Sequence, residues 1–388
     1  MPPTFESLGV SADLCDALAE RGITTAFPIQ AMSIPDGLAG RDICGKAKTG
    51  SGKTIAFGIP VIEAIAKAEP GRPSAIALVP TRELAVQVRD ELAPLAECRG
   101  LTIEAIYGGA DIEKQIKHIK RGLDFVVATP GRMIDLIERK EVTVEAVSHI
   151  VIDEADRMAD MGFMPQVEWI LRNAKSAQQT LLFSATLDGA VDGLVQRYQT
   201  DPVIHEVEST TVTVEEMVHR FLQVHQLDKP KVAATIVRNS NRTLLFSRTK
   251  RGADRLAEQL AKEGVKAAAI HGDLRQTARE KALADFSAGK LPALVATDVA
   301  ARGIHVDDVD VVIHYDPPED HKTYLHRSGR TARAGEAGLV VTFVLWDQEL
   351  EVKRMQKRVG IDVPMVEMFS NDPRLADLVA WDPEAVSV

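Results

Sequence analysis

Two α/β domains in tandem, each a parallel β-sheet flanked by helices, are the fold class this sequence predicts, and three observations lead there. The chain has 388 residues, more than the ~250 to 300 at which a single hydrophobic core stops growing. Short runs rich in Val, Ile and Leu recur with helix-patterned stretches between them, the signature of strands buried on both faces of a parallel sheet. The series then pauses at a polar segment, Val207 to Glu216 (VESTTVTVEE), and starts again.

In chain order, a short apolar segment, Asp42 to Cys44, opens the first series and leads through a Gly/Ser turn into a helix-like stretch, Ile55 to Ile65. Strands are expected at Ala75 to Val79, Phe125 to Ala128, Ile150 to Ile152 and Leu181 to Phe183. The second series places them at Leu244 to Phe246, Ala267 to Ile270, Leu294 to Ala296, Val309 to Ile313 and Leu339 to Phe343. A charged helix, EVKRMQKRV, follows, and then a stretch with Pro364, Pro373 and Pro383. The expected division is a first domain over 1–206, a linker over 207–216, a second domain over 217–365 and a short tail over 366–388. The fragment TLLFS occurs at Thr180 and Thr243, and VAT at Val127 and Val295. Their offsets, about 63 and about 168, disagree, so no tandem repeat is read from them.

Apolar residues at 45% and charged residues at 26% exclude a mainly disordered or collagen-like chain. A formal charge of -10 argues against a surface that attracts nucleic acid everywhere, while leaving room for a local basic groove. Cys15, Cys44 and Cys98 form an odd, widely spaced set with no metal-binding pattern, so neither a disulfide framework nor a zinc site is indicated. With no leader-like amino terminus and no long apolar span, a cytoplasmic protein is expected.

The run Ala47-Lys48-Thr49-Gly50-Ser51-Gly52-Lys53-Thr54 sits between a strand and a helix, the context a phosphate cradle requires. Glycines let backbone N–H groups approach phosphate oxygens and the helix N-terminus adds its dipole. Lys53 can neutralise the β and γ phosphates, and Thr54 can ligate Mg2+. The strict pattern wants glycine where Ala47 stands. Asp153-Glu154-Ala155-Asp156 follows the run Ile150 to Ile152, at a strand's carboxyl end, where ligands bind in open parallel sheets. There Asp153 would face the metal and Glu154 the attacking water. An acidic helix cap is the plainer alternative.

The segment from His326 to Gly335, HRSGRTARAG, is too polar for a core and too short for a basic tail. An arginine supplied from another domain to a transferred phosphoryl group can be worth about 10³ to 10⁵ in rate, which singles out Arg330 and Arg333. A solvated basic loop is the competing reading.

Taken together, Pro28-Ile29-Gln30, AKTGSGKT from Ala47, Pro80-Thr81-Arg82-Glu83-Leu84, Gly108-Gly109, Thr129-Pro130-Gly131-Arg132, Asp153-Glu154-Ala155-Asp156 and Ser184-Ala185-Thr186 resemble, in order, the DEAD-box family of ATP-dependent RNA helicases. The second half continues the resemblance with Gln276 and Arg279, ATDVAARG from Ala296, and HRSGRTARAG. The resemblance implies two RecA-like domains that close when ATP and single-stranded RNA bind together, bending the RNA so that a short duplex cannot persist. It further implies that Gln30 recognises adenine, that Lys53, Thr54 and Asp153 hold Mg-ATP along the turn Lys48, Thr49, Gly50, Ser51 and Gly52, and that Glu154 positions water. Ser184 and Thr186 would link hydrolysis to closure, and His326, Arg330 and Arg333 would complete the site. The RNA path it implies runs over Pro80, Thr81, Arg82, Gly109, Thr129, Arg132, Arg248, Gln276, Arg279 and Thr297. Small residues and hydroxyls at strand ends suit contact with phosphates and 2'-hydroxyls without base readout.

Departures from the family pattern carry expectations of their own. An aromatic residue is usual where Ile23 stands, so aliphatic packing would replace stacking on adenine and weaken nucleotide binding. Threonine is usual where Phe27 stands, so a hydroxyl near Gln30 is lost, bulk is added and adenine selectivity would alter. His305 replaces a usual aspartate, exchanging a constant acceptor for a group that titrates near neutral pH. Lys48, Ser328 and Ala332 stand for the commoner Gln, Ile and Gly. The leading expectation is RNA-stimulated ATP hydrolysis coupled to local, sequence-independent separation of short RNA duplexes or to ribonucleoprotein remodelling. An ATP-gated RNA clamp and a DNA translocase are the rival readings. The pattern is similar to minimal, RhlE-like bacterial members, which suggests clients in ribosome assembly or RNA decay.

Overall fold

The computed structural model describes residues 2–47, 50–187, 189–207, 217–301, 309–331 and 338–383, apart from the side chains of Gln276, Val299 and Lys322. The chain divides into two compact units, Met1–Ser209 and Thr210–Val388. Of the segment expected as a linker, Val207 packs against the first core and 208–216 lie outside the described residues.

In the first unit, strands β1 (Ile43–Lys46), β2 (Ala75–Leu78), β3 (Ile103–Ile106), β4 (Phe125–Ala128), β5 (His149–Asp153), β6 (Gln179–Ser184) and β7 (Val203–Glu206) form one parallel sheet in the order β3-β4-β2-β5-β6-β1-β7. Alternate residues of each central strand feed opposite faces. Ala75, Ala77, Val151, Leu181 and Phe183 enter one core, and Ile76, Leu78, Ile150, Ile152 and Leu182 the other. Two buried faces explain why these strands read as unbroken apolar runs.

In the second unit, β8 (Val218–Gln223), β9 (Thr243–Phe246), β10 (Ala267–Ile270), β11 (Ala293–Ala296), β12 (Val311–His314), β13 (Leu339–Val344) and β14 (Met365–Glu367) form a second parallel sheet in the order β10-β11-β9-β12-β13-β8-β14. Counted from its own first strand, each sheet has the same order. The chain is therefore duplicated in topology, which fragment matching did not show. The VAT copies end equivalent strands, β4 and β11, whereas the TLLFS copies lie on β6 and β9, which hold different places in their sheets. The shared TLLFS reflects only similar burial.

Strands missed from sequence each carry a charged or polar side chain that interrupts the apolar run. Strands β3 and β7 are sheet edges, and β7 is half-buried only at alternate residues. In β8, His219 bonds the Tyr324 hydroxyl at 2.7 Å, and Arg220 donates to the Leu378 carbonyl at 2.8 Å and lies over the Trp381 ring. Those polar side chains are satisfied by distant partners that no local pattern reveals. The stretch from 366, expected as a short tail, packs on this sheet: Glu367 ends β14, and Met368, Leu375 and Leu378 are buried in its core.

His314, at the end of β12, is fully buried, bonds Thr342 Oγ1 at 3.1 Å through Nδ1, and stands edge-on to Tyr324. Its Nε2 has no partner among the described residues. Burial first, and then the charges of Arg327 and His219, hold its imidazole well below the usual value. A histidine in the unfolded chain takes up its proton near pH ~6.5, so below that pH the unfolded state binds more protons and stability falls as pH drops. The unfolding midpoint of the intact chain should fall between pH 7 and 5.5, and fall less in His314→Asn. Urea titrations at both pH values check this, and equal pH sensitivity of the two proteins would remove His314 as the source.

Candidate active site

The glycine-rich turn joins β1 to the helix Lys53–Ala64, two residues earlier than its expected start. Gly52 caps that helix with φ 85°, a left-handed conformation that disfavours a side chain. The backbone thereby turns so that Lys53 and Thr54 start the helix beside the carboxyl ends of β5 and β6. Lys53 Nζ donates to the Ala47 carbonyl at 3.1 Å and stands 3.9 Å from Asp153 Oδ1. Both side chains are buried. Burial raises the Asp153 carboxyl to about 6, against the opposing pull of the Lys53 ammonium.

Strand β5 pairs with β6, and β6 with β1, placing Asp153 opposite Phe183 and Lys46 opposite Ser184. Ser184 is fully buried; its carbonyl accepts from Ala47 N at 2.9 Å, and its hydroxyl from Asp156 N at 3.1 Å. One serine thus ties the phosphate turn to the acidic turn. Thr186, two residues on, is exposed.

Glu154 is the N-cap of the helix Ala155–Asp160, at φ 54° and ψ 48°. The position is the acidic cap of the plainer reading, yet the side chain makes no cap bond. It pairs instead with Arg157 at 2.5 Å, both groups buried. A left-handed glutamate costs of order 1–2 kcal/mol, and such strain collects at functional sites.

Gln30 is almost fully buried on the helix Pro28–Leu38. Its Oε1 accepts from Phe27 N at 2.8 Å and its Nε2 donates to the Gly52 carbonyl at 2.9 Å, so it touches the phosphate turn directly. Ile23 is half-buried and packs against the first core. Lys48 and Thr49 lie outside the described residues.

A second group gathers on the other half of the same sheet edge, after β2, β3 and β4. Thr81 caps the helix Arg82–Cys98 by accepting from Leu84 N at 3.3 Å, with Pro80 buried just before it. Arg82 lies against Gly109: a Cβ built there would fall 2.2 Å from its Nη1, so glycine is what allows the approach. Thr129 caps the helix Pro130–Glu138. From that helix Arg132 donates to Gln115 Oε1 at 2.8 Å, while Gln115 Nε2 donates to the Tyr107 carbonyl at 3.1 Å. Arg132 and Arg82 are near enough to repel each other.

Within the second unit the equivalent edge carries the other predicted residues. Arg248 follows β9, its N–H donating to Asp316 Oδ2 at 2.9 Å, and Thr249 caps the next helix as Thr81 does in the first unit. Thr297 is buried after β11, and Arg279 Nη2 donates to the Ala300 carbonyl at 2.8 Å. Gln276 starts the helix Gln276–Ser287, its side chain outside the described residues. His326 is exposed at the end of the helix His321–Ser328, and Arg330 is half-exposed just beyond it. Arg302, His305, Ala332 and Arg333 lie outside the described residues.

Sequence reading missed three partners. Arg327, the remaining arginine of its cluster described here, is buried and forks onto Asp298 at 2.6 and 2.8 Å, so it is structural. Arg157 was legible in principle, three residues after Glu154 on one helix face. Glu91 has its carboxyl raised by burial, with the nearby Thr54 hydroxyl opposing the rise; no spacing rule links helices Lys53–Ala64 and Arg82–Cys98.

Against known families, residues 27–194 match the DEAD/DEAH box helicase model and residues 228–335 the helicase conserved C-terminal domain. The DEAD-box ATP-dependent RNA helicase CshA of Bacillus subtilis is 42% identical over 346 residues, covering 89% of this chain and 70% of the relative. The chain belongs to the DEAD-box ATP-dependent RNA helicases. It is an enzyme that uses ATP. CshA of Geobacillus kaustophilus is 40% identical, covering 88% of this chain and 73% of the relative. Among solved structures, Dbp5 of S. cerevisiae bound to RNA and ADP BeF3 has TM-score 0.81 at 29% identity, covering 95% of this chain and 96% of that one. The likeness supports the RecA-like reading of both sheets. No helix among the described residues is long and apolar enough to cross a membrane.

Proposed function

We propose that this DEAD-box chain binds Mg-ATP at the carboxyl ends of β5, β6 and β1, binds single-stranded RNA along the same edge at β3, β4 and β2, and couples hydrolysis to local separation of short RNA duplexes in the cytoplasm. The observation that carries this is one sheet edge holding both groups: Lys53, Asp153, Glu154 and Ser184 on one half, Thr81, Arg82, Gly109, Thr129 and Arg132 on the other. Lys53 neutralises phosphate charge, and Glu154, held by Arg157, orients water. Thr54 and Asp153 are hard oxygen donors beside Lys53, a set suited to Mg2+, which when bound neutralises charge on the phosphates. Arg330 and Arg333 take the arginine-finger part and His326 assists them.

Hydroxyls, a glycine and two arginines suit backbone contact, so RNA of any sequence should serve. Phosphate release should rise with added RNA oligonucleotide and stay at its basal rate with DNA of the same length and sequence. A short RNA duplex should be displaced only with ATP. Equal stimulation by RNA and DNA would count for a translocase, and no stimulation by either would defeat the RNA reading.

A further inference from the structure

Phe27 is 56% exposed, although a phenylalanine gains most when buried. Its place is set by the backbone: Pro28 follows, residue 27 is extended at φ -70° and ψ 161°, and its N–H donates to Gln30 Oε1 at 2.8 Å. Gln30 is 1% exposed, and its Nε2 donates to the Gly52 carbonyl at 2.9 Å. With one lone pair and one N–H engaged, the amide keeps one acceptor and one donor position. Gly52 completes the arrangement. A Cβ built on it would fall 2.7 Å from Phe27 Cδ2 and 2.4 Å from Gln30 Nε2, so ring and amide both rest on the backbone of the phosphate turn.

A flat apolar face, an adjacent donor and acceptor, and a phosphate cradle coincide here, and that combination fits a purine nucleotide. Ile23, at the position where the family pattern has its aromatic, is instead half-buried against the first core. We propose that Phe27 is the base-stacking platform of this chain, so that the aromatic contact has moved from position 23 to position 27 and stacking on the base is retained. The inference rests on the nucleotide reading of the turn. It replaces the expectation that binding is weakened for want of an aromatic.

Binding of ADP and of inorganic tripolyphosphate, both with Mg2+, separates base from phosphate contacts by calorimetry on the intact chain. Phe27→Ala and Phe27→Leu should each weaken ADP about tenfold, the scale of one base–aromatic stack, and leave tripolyphosphate affinity unchanged. Phe27→Trp should retain ADP affinity. Unchanged ADP affinity in Phe27→Leu would overturn the proposal, as would parallel loss of both ligands, which would make Phe27 a prop for Gly52. Failure of the unaltered chain to bind ADP would defeat the nucleotide reading itself.

Discussion

Lys53→Ala should abolish RNA-stimulated phosphate release, by at least about 10²-fold, the scale on which loss of one preorganised charge contact slows a reaction. The reason is local. Lys53 is 6% exposed, anchored by the Ala47 carbonyl, and is the basic group nearest Asp153 among the described ion pairs. Alanine removes the positive charge facing the phosphates and leaves a buried carboxylate without its main compensation. Asp153 can relieve that burial by taking up a proton, so the fold should persist even as its negative charge is lost. Circular dichroism and phosphate release on one preparation check both halves. Persistent RNA-stimulated turnover in a folded Lys53→Ala protein would remove the site assignment.

Glu154→Gln should also stop turnover, here with nucleotide binding retained. The amide keeps the shape of the side chain and loses the charge needed to orient and deprotonate water, an effect of about 10² to 10⁴ for a positioned base. Arg157, itself buried, loses its ion pair at 2.5 Å, so some loss of stability should accompany the loss of rate. Glu154→Gly distinguishes the two effects. Glycine accepts φ 54° without strain, offsetting the lost pair, yet offers no group to the water. An inactive protein with raised stability relative to Glu154→Gln would show that the left-handed turn is maintained for chemistry. A Glu154→Gln protein hydrolysing ATP at the unaltered rate would instead leave Glu154 as a structural partner of Arg157.

How much could be read in advance varied with burial. Strands β2, β4, β5, β9, β11 and β13 were legible because both their faces are covered, and a doubly buried strand must be an apolar run. Edge strands β3 and β7 carry acids and a histidine, and β8 carries His219 and Arg220, so the same rule passes over them. The phosphate turn was legible for a different reason: its chemistry is carried by consecutive residues whose spacing is itself the signal. Ser184 illustrates the limit. Its sequence context marks it, but its bonds to Ala47 and Asp156 depend on β6 lying between β5 and β1.

Local spacing, apolar runs and turn residues determined the α/β class, the glycine-rich cradle, the acidic turn and the family, because each resides in a few neighbouring side chains. Strand order was decided only in three dimensions, since pairing β5 with β6 and β6 with β1 requires covering cores that residues far apart supply together. That order makes one edge serve both phosphate and strand-end hydroxyls. It also repeats in the second sheet without a readable sequence repeat, because topology constrains burial at each position and leaves residue identity free. Phe27 is the sharpest case: only the packing of Gly52 beneath it, and of Ile23 into the core, shows which apolar side chain is left facing outward.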